Sequence, residues 1–299
     1  MTQIQNKKSK NFFKQKVIRI VLACFLSIGL LTSNGCSRID FLYSISGWVI
    51  LGKTRDYFDL SETQETFLDE KIDRLLDWHK KQELLKVITL LKQFNDRFKD
   101  GLTVKELEKI TDEYDVVWDV LMKKLLPDWA TFLSTVAPEQ IKELPYKLNK
   151  RNLILEEKLK LSDAEWSEED LESFQDTLED WVGDLSKEQI EKIKGWVEQP
   201  DRNFVKIRLE QRRSFHKWFI EELKSNKTAK ELEKSIGPWV IDPQSMWSYD
   251  FKTQMEKKKI EWTDLVINFD STLTQKQRNA AIKKLTGYIS SFEKMNSPN

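Results

Sequence analysis

The chain has 299 residues, enough for one large domain or two ordinary ones around a buried core. One third of it is charged, with only 9 glycines and 7 prolines, a balance that points to long helices with solvated faces. The formal net charge is zero, but residues 1–35 carry six basic and no acidic residues. The remainder is therefore acidic by six charges and is a poor candidate for sequence-independent nucleic-acid binding.

The N-terminus is a basic segment followed by an apolar run from Ile20 to Leu31. That run is short for a bilayer span but suits a secretory signal. Ser33, Asn34 and Gly35 then lead into Cys36, and the whole resembles a bacterial lipoprotein signal, in which cleavage before the cysteine accompanies its acylation. The match departs at Ser33, where an aliphatic residue is usual; Leu31 lies two places earlier. Cys24, preceded by Val-Leu-Ala, competes, but it sits inside the apolar run, whereas the apolar region of a signal must come first. An uncleaved anchor helix is the other reading, disfavoured because the run is shorter than about 20 apolar residues.

The resemblance implies that residues 1–35 are removed and that residues 36–299 form a single helical domain lipidated at its first residue. Ser37, where an Asp tends to retain such proteins at the inner membrane, favours the outer membrane with the domain in the periplasm. Each buried lipid methylene contributes about 0.8 kcal/mol, so several acyl chains make a lasting anchor. With Cys24 removed and Cys36 acylated, no thiol remains for catalysis, a disulfide or a cysteine zinc site.

Residues 39–52 ("IDFLYSISGWVILG") are apolar and are expected to pack as a first helix; the alternative is the membrane interface, which suits Tyr43 and Trp48. Apolar residues at helical spacing predict a long helix over about 61–98, another over 103–135 kinked at Pro127, and a third over 138–161 disturbed by Pro145. Shorter helices follow over about 167–182, 186–198, 202–225 and 228–236. Gly237 to Ser245, with two prolines, reads as a loop before helices over 245–269 and 274–295. Nothing alternates as a strand, so the expected fold is all-α: a bundle of long and short antiparallel helices without a sheet.

Four of these helices open on related residues: "LSETQ" at 60–64, "VAPEQ" at 136–140, "LSKEQ" at 185–189 and "LTQKQ" at 273–277. Ser61 with Gln64, Ser186 with Gln189 and Thr274 with Gln277 have capping-box spacing, and Leu185 with Ile190 that of a hydrophobic staple. The same box with glutamate occurs at Thr103/Glu106 and Thr228/Glu231, so capping accounts for the spacing but not for the recurrence of Gln. The Leu-Thr-x-x-Gln pattern resembles that of the short periplasmic Spy and CpxP proteins, which implies chaperone-like binding.

A fuller resemblance is to an uncharacterised family of Gram-negative lipoproteins. It is carried by "CSRIDFLY" from Cys36 to Tyr43, "YFDLSETQ" from Tyr57 to Gln64 and "LLDWHKKQEL" from Leu75 to Leu84. It covers the chain, is most specific in the first ninety residues, and implies no activity.

His79 and Glu83, four apart in "DWHKKQEL", share a helix face, as half of a metal site or an acid–base pair would. The only other histidine is His216, and a helix-packing role fits better, since catalysis or zinc binding needs further convergent ligands. The basic and aromatic run around Arg212, Arg213 and Trp218 suits an anionic partner, or a helix whose apolar residues turn inward while its arginines pair with carboxylates. Nucleotide-binding and common hydrolase motifs are absent from the sequence. The expectation is a non-catalytic, lipid-anchored binding or scaffold protein that needs no metal or cofactor and acts on envelope proteins or unfolded clients. An enzyme using His79 and Glu83 is the alternative.

Overall fold

A computed structural model describes residues 36–296, and no strand occurs among them. The leader and the cleavage position expected in residues 1–35 lie outside the described residues. Most helices begin where a short polar side chain can take a hydrogen bond from a free N–H of the first turn. Ser61, Thr103, Ser162, Ser186, Asp201, Thr228 and Ser248 all do so.

The chain opens with α1 (Cys36–Arg55) and continues into α2 (Glu62–Trp78). A single π-helical turn (His79–Glu83) carries α2 directly into α3 (Leu84–Phe98). Then come α4 (Val104–Leu133), α5 (Pro138–Lys160), α6 (Asp163–Val182), α7 (Lys187–Val197) and α8 (Arg202–Lys224). The chain closes with α9 (Ala229–Ile241), a 3-10 turn (Pro243–Met246), α10 (Tyr249–Asp270) and α11 (Gln275–Asn296).

Three expectations need correction. The segment 237–245 is a loop only in its second half, because α9 continues through Pro238 to Ile241. Tertiary packing overrides the local signal there: Ile236 and Val240 are buried in the core. A Cβ at Gly237 would also sit 3.3 Å from a Leu126 methyl, so glycine permits the close approach of α9 to α4. Helix α6 starts at Asp163 rather than near 167, on a Ser162/Glu165 capping box. The helical run over residues 62–98 is likewise not a uniform α-helix, since the π turn interrupts its register.

The 39–52 segment lies within α1, which packs on α2. A Cβ at Gly47 would touch Ile72 and Leu76, and Leu51 and Thr54 are buried. The main core joins Leu51, α2, the C-terminal half of α4, the start of α5, the end of α8 and α9. A second cluster joins α3, the start of α4 and α11, and a third joins α5, α6 and α8. A fourth gathers Val182, Ile193, Phe269 and Ala281. Helices α4 and α10 run between these clusters. From residue 112 to 125 in α4, and from 252 to 268 in α10, no side chain is buried.

Candidate functional site

The four Gln-bearing helix starts form two pairs. Gln64 and Gln140 face each other through reciprocal hydrogen bonds between their side-chain amides: Gln64 Nε2 donates to Gln140 Oε1 at 3.1 Å, and Gln140 Nε2 donates to Gln64 Oε1 at 2.8 Å. Gln189 and Gln277 do the same at 3.0 and 2.9 Å. Each amide oxygen also accepts the N–H of its own helix cap, at Ser61, Ala137, Ser186 and Thr274. The second N–H of each amide goes to a carbonyl across the junction: Gln64 to Thr135, Gln140 to Asp59, Gln189 to Thr272 and Gln277 to Asp184. All four glutamines are buried.

This arrangement explains the recurrent glutamine. A carboxylate could still cap its helix, but it would place an anion against the facing amide oxygen and lose both N–H donors. The glutamates of the other boxes, Glu106, Glu165 and Glu231, serve only their own caps. Ala137 has no oxygen to offer the first turn, yet Gln140 persists because its partner is Gln64 as much as its own helix.

The two junctions repeat in sequence as well as geometry. Asp-Leu-Ser-x-x-Gln occurs at 59–64 and 184–189, and Phe-x-Ser-Thr precedes the second glutamine at 132–135 and 269–272. Thr135 and Thr272 donate to the Phe132 and Phe269 carbonyls, both at 2.7 Å. One difference stands out. Leu133 and Ile141, buried in the first junction, are matched in the second by Asp270 and Arg278, a buried ion pair at 2.8 Å. Asp270 also accepts the Leu102 N–H at 2.8 Å, and Arg278 donates to the Phe98 carbonyl at 2.7 Å. The polar pair thereby ties the turn after α3 to the second junction. That turn needs the left-handed backbone of Gly101, whose φ is +96°.

His79 and Glu83 lie in the π turn, where the Leu84 N–H reaches back to the His79 carbonyl. Such turns often mark functional sites and often simply accommodate an extra residue. Glu83 is buried, and both its carboxylate oxygens accept from Lys86 Nζ, at 2.8 and 2.9 Å. Burial pushes the His79 pKa below the ordinary imidazole value, against the opposing field of Glu83. No cluster of three metal-ligating side chains occurs among the described residues.

The basic run lies on α8. Arg213 pairs with Glu156 of α5 at 2.6 Å, and Arg212 reaches the Arg151 carbonyl at 3.5 Å. Trp218 packs with Phe215 against the main core. Arg212 and Arg213 thus tie α8 to α5, while Trp218 turns to the core. Another cluster went unread in the sequence. Asp170 binds Lys158 and accepts the Trp166 indole N–H at 2.8 Å, while Lys158 and Arg202 lie over the Trp166 ring at 4.9 and 5.2 Å. The Trp-x-x-x-Asp spacing on α6 was the available signal.

The capping residues are thus brought together in pairs, whereas His79/Glu83 and Arg212/Arg213/Trp218 occupy separate helices. Exposed apolar side chains are the other candidate feature. Only Trp48 and Trp118 of the eleven tryptophans are exposed; the others pack wholly or partly between helices. Trp118 is 42% exposed and Val116 66%, and Tyr114 stacks on Trp118 at 6.2 Å. Leu121, Met122 and Leu125 continue this half-open apolar stretch of α4. A groove of about 570 Å³ opens nearby, lined by Leu126, Gly237, Pro238 and Ile241 together with charged residues of α9.

A family of unknown function, DUF6279, matches residues 56–252, and the chain belongs to that family. No curated protein and no solved structure matches it. No helix among the described residues is long and apolar enough to cross a membrane.

Proposed function

We propose that this protein is an envelope lipoprotein, acylated at Cys36 on the periplasmic face of the outer membrane, whose helical domain binds other envelope proteins or unfolded clients without catalysing a reaction. The observation that supports binding is the apolar middle of α4, where Val116 and Trp118 are exposed and Tyr114, Leu121 and Leu125 are half-buried. Exposed large apolar side chains gathered on one helix of a folded protein can mark an interaction site. The sequence of residues 20–36 supports the anchor. The Leu-Ser/Thr-x-x-Gln repeats lend no separate support, because the two glutamine junctions give them an architectural role.

The test is suppression of aggregation. Residues 36–299 carrying Cys36→Ser, mixed with an equimolar chemically unfolded client, are expected to hold light scattering down. A Val116→Ser/Trp118→Ala variant is expected to lose most of that effect while unfolding normally. No suppression by the parent chain removes the client-holding version. An enzyme at His79/Glu83 predicts instead that His79→Ala abolishes turnover of an envelope substrate.

A further inference from the structure

Helix α1 packs against both α2 and α11. Gly47, Leu51 and Thr54 face inward and are buried, with the Gly47 position against Ile72 and Leu76 of α2. Around the outward half of the helix stand three apolar residues, Val49 at its middle, 41% exposed, with Trp48, 70% exposed, and Ile50, 40% exposed, on its two flanks. Lys53 and Arg55 follow in the last turn, both exposed, Lys53 paired with Asp56 and Arg55 with Glu65. An exposed tryptophan beside two aliphatics is a composition favoured at a bilayer's headgroup level.

The chain's proposed attachment point bears on what covers this arc. The helix is continuous from Cys36, so Trp48 lies twelve residues along it, or about 18 Å at 1.5 Å per residue. Because α1 is fixed to α2, the arc cannot swing away from its own helix axis. An acyl anchor at Cys36 would thus keep this arc within about 18 Å of the attachment, and an α1 lying along the surface brings it to the headgroups. A protein partner would have to compete with a surface that is permanently within reach.

We infer that the outward half of α1, centred on Val49 and flanked by Trp48 and Ile50, rests in the headgroup region of the bilayer, orienting the helical body on the membrane. The inference rests on the lipoprotein reading, and its test separates the two. Acylation of Cys36 and loss of Cys24 leave the mature chain without a free thiol, so Trp48→Cys, Ile50→Cys or Tyr249→Cys each provides a unique labelling site. Tyr249, 83% exposed at the start of α10, reports a water-facing position.

The full-length variants would be expressed, extracted, analysed by mass spectrometry, spin-labelled and reconstituted into phosphatidylethanolamine/phosphatidylglycerol vesicles. Collisions with oxygen, which concentrates in lipid, are compared with collisions with a water-soluble nickel chelate. Labels at 48 and 50 are expected to favour oxygen over nickel several-fold relative to the label at 249. If acylation is present but 48 and 50 behave like 249, the orienting contact is wrong and the anchor stands. Labels shielded from both reagents would mean a protein covers the arc, which also overturns it. A chain with an unmodified Cys36 overturns the anchor, and this inference with it.

Discussion

A glutamine amide carries two N–H donors and an oxygen with two acceptor sites, and in Gln189 all are used. The oxygen takes the Ser186 and Gln277 N–H groups; the nitrogen serves Gln277 and Thr272. Gln189→Glu should therefore destabilise the fold by about 2–4 kcal/mol, through an unpartnered buried carbonyl and a buried anion. Glu231→Gln, at an exposed and solitary cap, should change stability by less than about 0.5 kcal/mol. Urea unfolding followed by circular dichroism compares them, and equal effects would refute the pairing as the reason for glutamine. The spacing of these residues was legible in the sequence as capping. Their pairing was not, because the partners lie 76 and 88 positions apart and nothing local distinguishes a solitary cap from a shared one.

The buried Asp270–Arg278 pair makes a second residue-level prediction. Asp270→Leu or Arg278→Ile alone should cost about 3–5 kcal/mol, since each strands a buried charge. The double variant copies Leu133 and Ile141 and should cost less than either single, with about 1–3 kcal/mol remaining for the abandoned Leu102 N–H and Phe98 carbonyl. A thermodynamic cycle measures the coupling, and additive costs would show that the two side chains act independently.

Among elements, the π turn is the clearest departure from regular structure. It accommodates an extra residue while α2 and α3 each keep their buried faces, Leu68 and Ile72 on one and Leu84, Ile88 and Leu91 on the other. Removing the exposed Gln82 should convert the turn to α-helix and leave unfolding cooperative, with stability changed by about 1 kcal/mol or less. Loss of folding on that deletion would show that the turn itself is required. Helix positions and most starts were legible from apolar periodicity and capping residues. The end of α9 was not, because Gly237 and Pro238 signal a stop locally while contact with Leu126 and the core keeps the helix going.

For the whole molecule, the titrating groups point to weakening in acid. Hydrogen bonds from Thr103, Ser162 and Thr228 hold the Glu106, Glu165 and Glu231 carboxyls below their ordinary value of 4.5. Burial holds the His79 imidazole below 6.5. A pKa depressed in the folded state gives stability that is present above the unfolded value and is lost as pH falls through the folded one. Stability should therefore decline first below pH 6.5 and again below 4.5. Burial raises Asp170, which acts in the opposite sense by favouring the folded state as its carboxyl protonates. His79→Gln should remove the first decline alone, as read from chemical denaturation midpoints across that range.

The proposed role depends on a tether at residue 36, and the proposed membrane contact of α1 depends on the same tether. Intact mass spectrometry of the protein extracted from native membranes tests this directly. The predicted result is a chain beginning at an acylated Cys36, with residues 1–35 absent. A chain that retains those residues, or begins at an unmodified cysteine, would contradict it.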